Sequence, residues 1–453
     1  MLLIFPVLYI IAFITALRGI LKQKEDALFL FVILALPIYN TSLSILLGNR
    51  LEEWLPLFQS FKELTLVISF LVLIWNYKKK FVWYYVDKWL LYFFILTMLY
   101  IFIPLGKYGL IQKAVAFKSL SFFVLIYFTG RLFNPLQFHL EKIFSWVGIL
   151  SFAAVCLLLF EIITYTHFQT FTDYAFFNQE YYGVEPSGRY GLTWSFEIND
   201  GLKRFASFFS NPLEFAGATL VTTALLMAVH TDQCNRIHID TFGWLVITST
   251  FVAILFALSR SSLLGYVLLI YVYSLITNRK EITYVFYTAI GIGVIYVLYL
   301  LNDRYTYDYI ISTIKLSDSS SIGHVLEWIE GIQSMIDNPL GRGLGESGRV
   351  SSALQENVGG ENQFIIVGVQ TGIISLMLYA VIYLAIVRKS WQGVKKHAGK
   401  VRKLALAVFL MKISFLVPML TSNFDSYSYI TYFSWLLTGL MVTMMGEAEA
   451  SKI

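Results

Sequence analysis

The sequence predicts an all-α polytopic membrane protein, a single transmembrane domain over residues 1–453 with about 12–14 transmembrane helices. Three observations point there. Of 453 residues, 57% are hydrophobic and only 14% charged, whereas soluble domains carry roughly a quarter charged residues. Apolar segments of about 20 residues, the length that crosses a bilayer core, recur along the whole chain. The basic residues, finally, concentrate in alternate connections between those segments.

Taken in order, apolar segments fall at 2–17, 27–47, 55–76, 86–104, 114–130 and 143–165, then at 204–230, 241–258, 261–277, 284–301, 362–387, 404–421 and 428–446. Met1–Leu21 has no small-residue cleavage site after its apolar run, so it reads as a first helix rather than a removed leader. A polar Ser259-Arg260-Ser261-Ser262 step divides the long apolar stretch 241–277 into two helices. The two cysteines build no framework: Cys156 falls inside a helix and Cys234 in a short connection.

The connections 18–26, 77–88, 131–142, 231–240, 278–281 and 388–403 together hold nineteen Lys and Arg residues, including the Lys78-Lys79-Lys80 run. The alternate set holds eleven over about twice the length. The basic set is therefore expected in the cytoplasm, and the 388–403 run reads as topological anchoring rather than nucleic-acid or specific lipid binding; the net charge of +5 is modest.

That assignment puts two long loops outside, 166–203 and 302–361; loops of such length are usually functional. The first is crowded with aromatic residues such as Phe168, Tyr174 and Trp194 and with acids such as Asp173, Glu185 and Glu197. Aromatics there are interfacial anchors or stacking platforms for sugar rings. The second contains an amphipathic helix with Ile322, Val325, Leu326, Ile329, Ile332 and Ile336 at steps of three and four. It is expected to lie along the membrane surface or across the mouth of a cavity. Asn338-Pro339 ends it, before the glycine-rich Gly341-Arg342-Gly343-Leu344-Gly345.

Four arginines edge these outer segments: Arg204, Arg260, Arg342 and Arg349. A guanidinium fork stays charged and matches phosphate oxygens in a bidentate way. A lone arginine at a helix end is an ordinary interfacial anchor, but several beside an intramembrane Asn211-Pro212 break suit a protein-lined polar cavity. Glycines around Arg342 and Arg349 offer N–H groups for an anion nest. Glu361 stands at a helix start, where it is either a capping acid or a general base. Asn423 and Asp425, in a short outer turn, are further polar lining. The chain has no nucleotide-binding glycine motif and no metal-ligand spacing, so neither a cofactor nor a metal is expected, and an ATP-driven transporter is disfavoured.

These pieces, spread over about 200–390, resemble the O-antigen polymerase and ligase family, membrane glycosyltransferases that act on undecaprenyl-diphosphate-linked glycans. Arg204 with Ser210-Asn211-Pro212 is similar to that family's arginine ahead of an Asn-Pro helix. Ala257-Leu258-Ser259-Arg260-Ser261-Ser262 is similar to its Ser-Arg step. Trp328-Ile329-Glu330-Gly331 through Asn338-Pro339-Leu340-Gly341-Arg342-Gly343 resembles its large-loop helix and turn. Glu361-Asn362-Gln363-Phe364, with Thr371-Gly372-Ile373 downstream, resembles its last motif. Two positions depart from the pattern: Glu361 stands where ligases commonly carry a histidine, and His324 where many members carry an arginine. Arg349 and Gly360 keep the eleven-residue spacing that polymerases of the family often show, whereas Arg204 has Phe215 at the matching step.

The resemblance implies a multi-pass protein of the bacterial inner membrane that polymerises O-antigen, capsule or exopolysaccharide repeat units on the outer face. Arg204, Arg260 and Glu361 would be catalytic, and Asn211, Arg342, Arg349, Asn362 and His324 would bind substrate. It further implies a polyprenyl-diphosphate-linked glycan as substrate, membrane lipid as surroundings, and a flippase and chain-length regulator as partners. A ligase and a lipid-linked oligosaccharide flippase are the alternatives; against the flippase, the two halves show no internal repeat.

Overall fold

A computed structural model describes residues 2–24, 26–78, 80–198, 201–279, 283–284, 287–288, 291, 319–348, 351 and 358–450. The protein is a polytopic all-helical membrane protein, and among the described residues β-structure is limited to three isolated bridges. Its helices are α1 (Ile4–Leu21), α2 (Asp26–Leu34), α3 (Tyr39–Gly48), α4 (Leu55–Asn76), α5 (Tyr85–Leu99), α6 (Leu110–Arg131) and α7 (Leu140–Thr164). There follow α8 (Tyr174–Tyr182), α9 (Pro212–His230), α10 (Thr241–Phe256), α11 (Arg260–Thr277), α12 (Ser319–Asp337), α13 (Gln363–Lys396), α14 (Gly399–Thr421) and α15 (Ser428–Ala450).

Twelve of the thirteen apolar segments coincide with helix, and the thirteenth, 284–301, lies outside the described residues except at 284, 287, 288 and 291. By length and apolarity alone, eight of the described helices can cross a bilayer, or nine if the α2–α3 pair, bent by 54°, is one broken span. The count of about 12–14 thus includes shorter members: α5 has 15 residues and α10 has 16. The Ser-Arg-Ser-Ser step does separate α10 from α11, at a Leu258 with φ of 47°. Cys156 and Cys234 are both free.

The basic connections gather at one end of the bundle. Gln23 bonds Asn76 at 3.1 Å, Lys142 pairs with Asp26 at 2.6 Å, and Arg402 donates to the Asp232 carbonyl at 2.8 Å. At the opposite end the first long loop packs near Gly48, the Lys107 N–H donates to Glu346 at 2.9 Å, and Asn423 approaches Gly348. The charge asymmetry of the sequence is therefore an asymmetry between the two ends of the molecule. Along the axis α6 and α15 come into backbone contact through glycine, since a Cβ on Gly130 would lie 2.2 Å from the Leu436 carbonyl oxygen and one on Gly439 2.1 Å from that of Tyr127. Small residues let membrane helices approach this closely.

One helix starts later than its apolar run. The stretch 204–211 is not helical; α9 begins at Pro212, whose fixed φ suits a first helical position, with Asn211 as N-cap accepting from the Glu214 N–H at 2.9 Å. Arg204 therefore precedes a buried, irregular strip, Phe205–Ser210, and does not open a helix. Non-helical backbone is tolerated at such depth only when protein satisfies it. Glu161 takes the Ser207 and Phe168 N–H groups at 2.9 and 2.8 Å, Gln169 donates to the Ser207 and Phe209 carbonyls, and Thr41 to that of Phe208.

The glycine-rich turn after α12 is accounted for in the same way. Helix α13 breaks at Thr371 and Gly372. The N–H groups of Arg342 and Gly343 cover the freed Val369 and Gln370 carbonyls at 2.8 and 3.1 Å, while Ile373 donates to Pro339 at 3.0 Å. These N–H groups, expected to form an anion nest, are thus spent on the broken helix. Gly372 has φ 81° and ψ 174°, a glycine-only region costing other residues about 1–3 kcal/mol, and a Cβ there would meet the Pro339 oxygen at 2.6 Å. Gly372→Ala is accordingly expected to lower the detergent-solubilised melting temperature by several degrees; an unchanged melt would mean that the break relaxes without glycine.

In α12 the apolar stripe of Ile322, Leu326, Ile329, Ile332 and Ile336 is exposed, as for a helix resting against lipid. The face turned inward carries Ser321, His324, Glu327 and Trp328 and then Met335, which packs on α13.

Candidate functional site

Among the loops at the non-basic end lies an open cavity of about 1190 Å³. Each wall delivers a charged side chain for a local reason. The first long loop is a folded unit: Tyr174, Leu192, Phe196 and Ala206 form a small core, and two bridges, Ser187–Leu192 and Glu197–Lys203, close its turns. Most of its buried aromatics are thus packing residues, although Trp194 stays 70% exposed and faces the cavity. The turn carries Arg189, whose N–H donates to Glu197 at 3.0 Å. Arg204 follows where the chain enters the bundle, its N–H donating to the Phe196 carbonyl at 2.9 Å.

Arg260 is the first residue of α11, capped by Ser259, whose hydroxyl accepts from the Ser262 N–H. Helix N-termini favour anions and leave first-turn N–H groups unpaired within the helix. A half-buried cation in that place works against the dipole, so the position suits an anionic ligand more than it suits the helix. From α12 come His324 and Glu327, one turn apart and 3.6 Å from each other. Glu361 closes the cavity just before Asn362, the N-cap of α13.

Of the candidate residues, Arg204, Arg260, His324 and Glu361 share this cavity. Asn211 and Asn362 do not line it; both spend their side chains on helix caps, Asn362 accepting from the Phe364 and Ile365 N–H groups. Arg342 sits with the α13 break, 3.9 Å from Glu346. Arg349 lies outside the described residues. Asn423 and Asp425 border other cavities. Arg189, Glu197 and Glu327 also line the cavity; the sequence shows Glu197 only as one of the first loop's acids and singles out neither of the others. Glu327 left a signal of its own, one turn after His324 on the helix face opposite the isoleucines.

Glu361 is accessible to the cavity yet enclosed by protein, and this desolvation raises its carboxyl pKa. His324 next to it opposes that shift, whereas Glu327 adds to it. The imidazole of His324 is itself shifted upward, first by its hydrogen bond to Glu327 and then by the charges of Glu361 and Glu327, against burial and Arg260. Nearby, burial and Lys203 push His167 down to about 4, so that side chain is neutral near pH 7. Three arginines and a histidine inclined to protonate thus face three glutamates. The arrangement can hold an anion at the arginines while a carboxylate a short way off accepts a proton.

Fold and site together define a polytopic helical membrane protein with an arginine-rich cavity at the end opposite its basic loops. The sequence matches no protein-family model. It is similar to an O-antigen polymerase of Salmonella muenchen, with 26% identity over 261 residues that cover 55% of this chain. The match spans 60% of that polymerase's length.

Proposed function

We propose that the protein is a polysaccharide polymerase that joins polyprenyl-diphosphate-linked oligosaccharide repeat units on the outer face of the bacterial cytoplasmic membrane. The observation that carries this reading is the convergence of Arg204, Arg260, His324 and Glu361 on one cavity at the less basic end, and the likeness to an O-antigen polymerase supports it. The positive-inside rule puts that end outside. Arg204 and Arg260 hold the donor diphosphate. A hydroxyl of the second glycan attacks the donor's anomeric carbon, the bond from that carbon to the diphosphate oxygen breaks, and Glu361 takes the hydroxyl proton. Polyprenyl diphosphate leaves with the bonding electrons, its new charge held by the guanidinium groups.

A base works only when deprotonated. Because enclosure raises the Glu361 pKa, the rate is expected to rise with pH along a limb above the ordinary carboxylate range. Glu361→Gln is expected to abolish this limb and cost about 10²–10⁴-fold in kcat. An unaltered pH profile would remove Glu361 from the base role. The function itself is tested by adding the purified protein to lipid-linked repeat units in vesicles. A ladder of longer lipid-linked chains supports polymerisation. Movement across the bilayer without a new bond would indicate a flippase, and one transfer to a different acceptor a ligase.

A further inference from the structure

A second cavity, of about 800 Å³, opens between α4, α6 and the start of α15. It has no lining residue in common with the arginine cavity, and the turn between α14 and α15 stands between them, with Thr421 on one side and Asp425 and Ser426 on the other. Polar side chains line it well inside the membrane-crossing helices. Glu63 and Lys118 each lie eight residues past the first residue of their helix, or about 12 Å along the axis.

These two pair at 3.0 Å, bridging α4 to α6, and Lys62 sits 4.0 Å from Glu63 and 4.1 Å from the centre of the Tyr39 ring. Charged groups at such depth are costly and mark binding or transport paths. A fastening of α4 to α6 explains the ion pair but not what remains. Tyr432 is 4% exposed, lines the cavity, and its hydroxyl has no hydrogen-bond partner among the described residues; the Oε2 atom of Glu63 has none either. Buried polar atoms left in this state call for an occupant with donors and acceptors of its own.

The chemistry of the walls selects the occupant. Hydroxyl and amide side chains such as Gln59, Ser60, Ser119 and Thr431 alternate with the rings of Phe122 and Tyr182. A lipid tail would leave the polar groups unpaired. A phosphate would meet the Glu63 and Asp425 carboxylates, which balance the charges of Lys62 and Lys118. A sugar ring offers hydroxyls to the carboxylate and the phenol, and an apolar face to the aromatics. The volume is also within the roughly 300–1,000 Å³ of small-molecule sites. Ser119 also borders a water-sized void of about 10 Å³ whose other walls include Gln363, two residues from Glu361.

We propose that this second cavity is a carbohydrate-binding site that holds part of the acceptor glycan while the donor occupies the arginine cavity. This rests on the polymerase reading, because a reaction joining two lipid-linked glycans must hold both.

The test places a photo-crosslinking p-benzoylphenylalanine at Ser119 in one variant and at Ser261, in the arginine cavity, in another. The full-length chain is set in nanodiscs of phosphatidylethanolamine and phosphatidylglycerol. The probe is the sugar-labelled lipid-linked oligosaccharide that accumulates in cells lacking this chain. Label is expected at both positions, and Glu63→Gln is expected to lower capture at 119 by about tenfold, the loss of one charge-assisted hydrogen bond, without changing capture at 261. Tyr432→Phe, a milder change that keeps the ring, is expected to lower it several-fold at 119 alone. Label at 261 only, or phospholipid in place of glycan at 119, overturns the second site and leaves the polymerase reading standing. Label at neither position overturns both.

Discussion

Replacing Arg260 with alanine is expected to cut chain extension by about 10²–10³-fold while the protein still inserts and folds. That is the range for removing one preorganised group aimed at developing charge. The residue's position sets this expectation. It stands at the N-terminus of α11, where the dipole disfavours a cation, and is held there by Ser259, which caps the helix after the left-handed Leu258. A guanidinium in that place works against the dipole, so the helix itself does not need it. The loss should appear in kcat more than in KM, because the leaving diphosphate gains charge as its bond to the sugar breaks. Arg204→Ala is expected to behave alike, and the double variant to lose much less than the product of the two, since both act on one group. Lysine at either position should restore part of the rate by charge alone, lacking the bidentate fork. Quantified product ladders check this at equal protein level and with an unchanged detergent melt. Wild-type chain lengths in both alanine variants would end the arginine assignment.

How much of this was legible beforehand follows from which forces act locally. Apolar length is a local property, so twelve of the thirteen segments appear as helix close to where the sequence puts them. The start of α9 is the exception, and it was misread because Phe205–Ser210 is as apolar as a span. Its departure from helix depends on Glu161 and Gln169, which lie about forty residues earlier. Charges in an apolar chain are conspicuous, so Arg204, Arg260, His324 and Glu361 could be picked out one by one. Their meeting in one cavity could not, because it needs loop 166–203, α11, α12 and the start of α13, far apart in the chain, to border one space. Asn211, Asn362 and Arg342 stand beside helix ends and breaks, where capping and binding call for the same residue types. The second cavity had no signal in sequence order, since Glu63 and Lys118 meet only when α4 packs on α6.

The other large effect is expected far from both cavities. Asp87, fully buried at the start of α5, accepts from the Tyr84 N–H at 2.8 Å, from the Tyr127 hydroxyl at 2.6 Å, and from Arg131 through Nε at 2.8 Å and Nη2 at 3.1 Å. Arg131, 3% exposed, also donates to the Thr443 hydroxyl at 2.5 Å and the Val82 carbonyl at 2.7 Å. The pair ties α5, α6 and α15 together at the basic end. A buried, hydrogen-bonded ion pair gives little net stability over an apolar one, but removing one partner strands the other charge. Arg131→Met is therefore expected to destabilise by about 3–5 kcal/mol, and Asp87→Leu by a similar amount. The double variant Asp87→Leu/Arg131→Met is expected to cost less than either single change, because no charge remains buried alone. Thermal melts of the three variants in one detergent decide the matter, and a double variant as costly as the two losses combined would mean that the bonds to Tyr127, Thr443 and Val82, not the charge pair, carry the stability. Activity per folded molecule should stay near wild type in all three variants, since the pair borders neither cavity. A loss of turnover at full folding would instead mean that the spacing of α6 and α15 is transmitted to the sites at the far end.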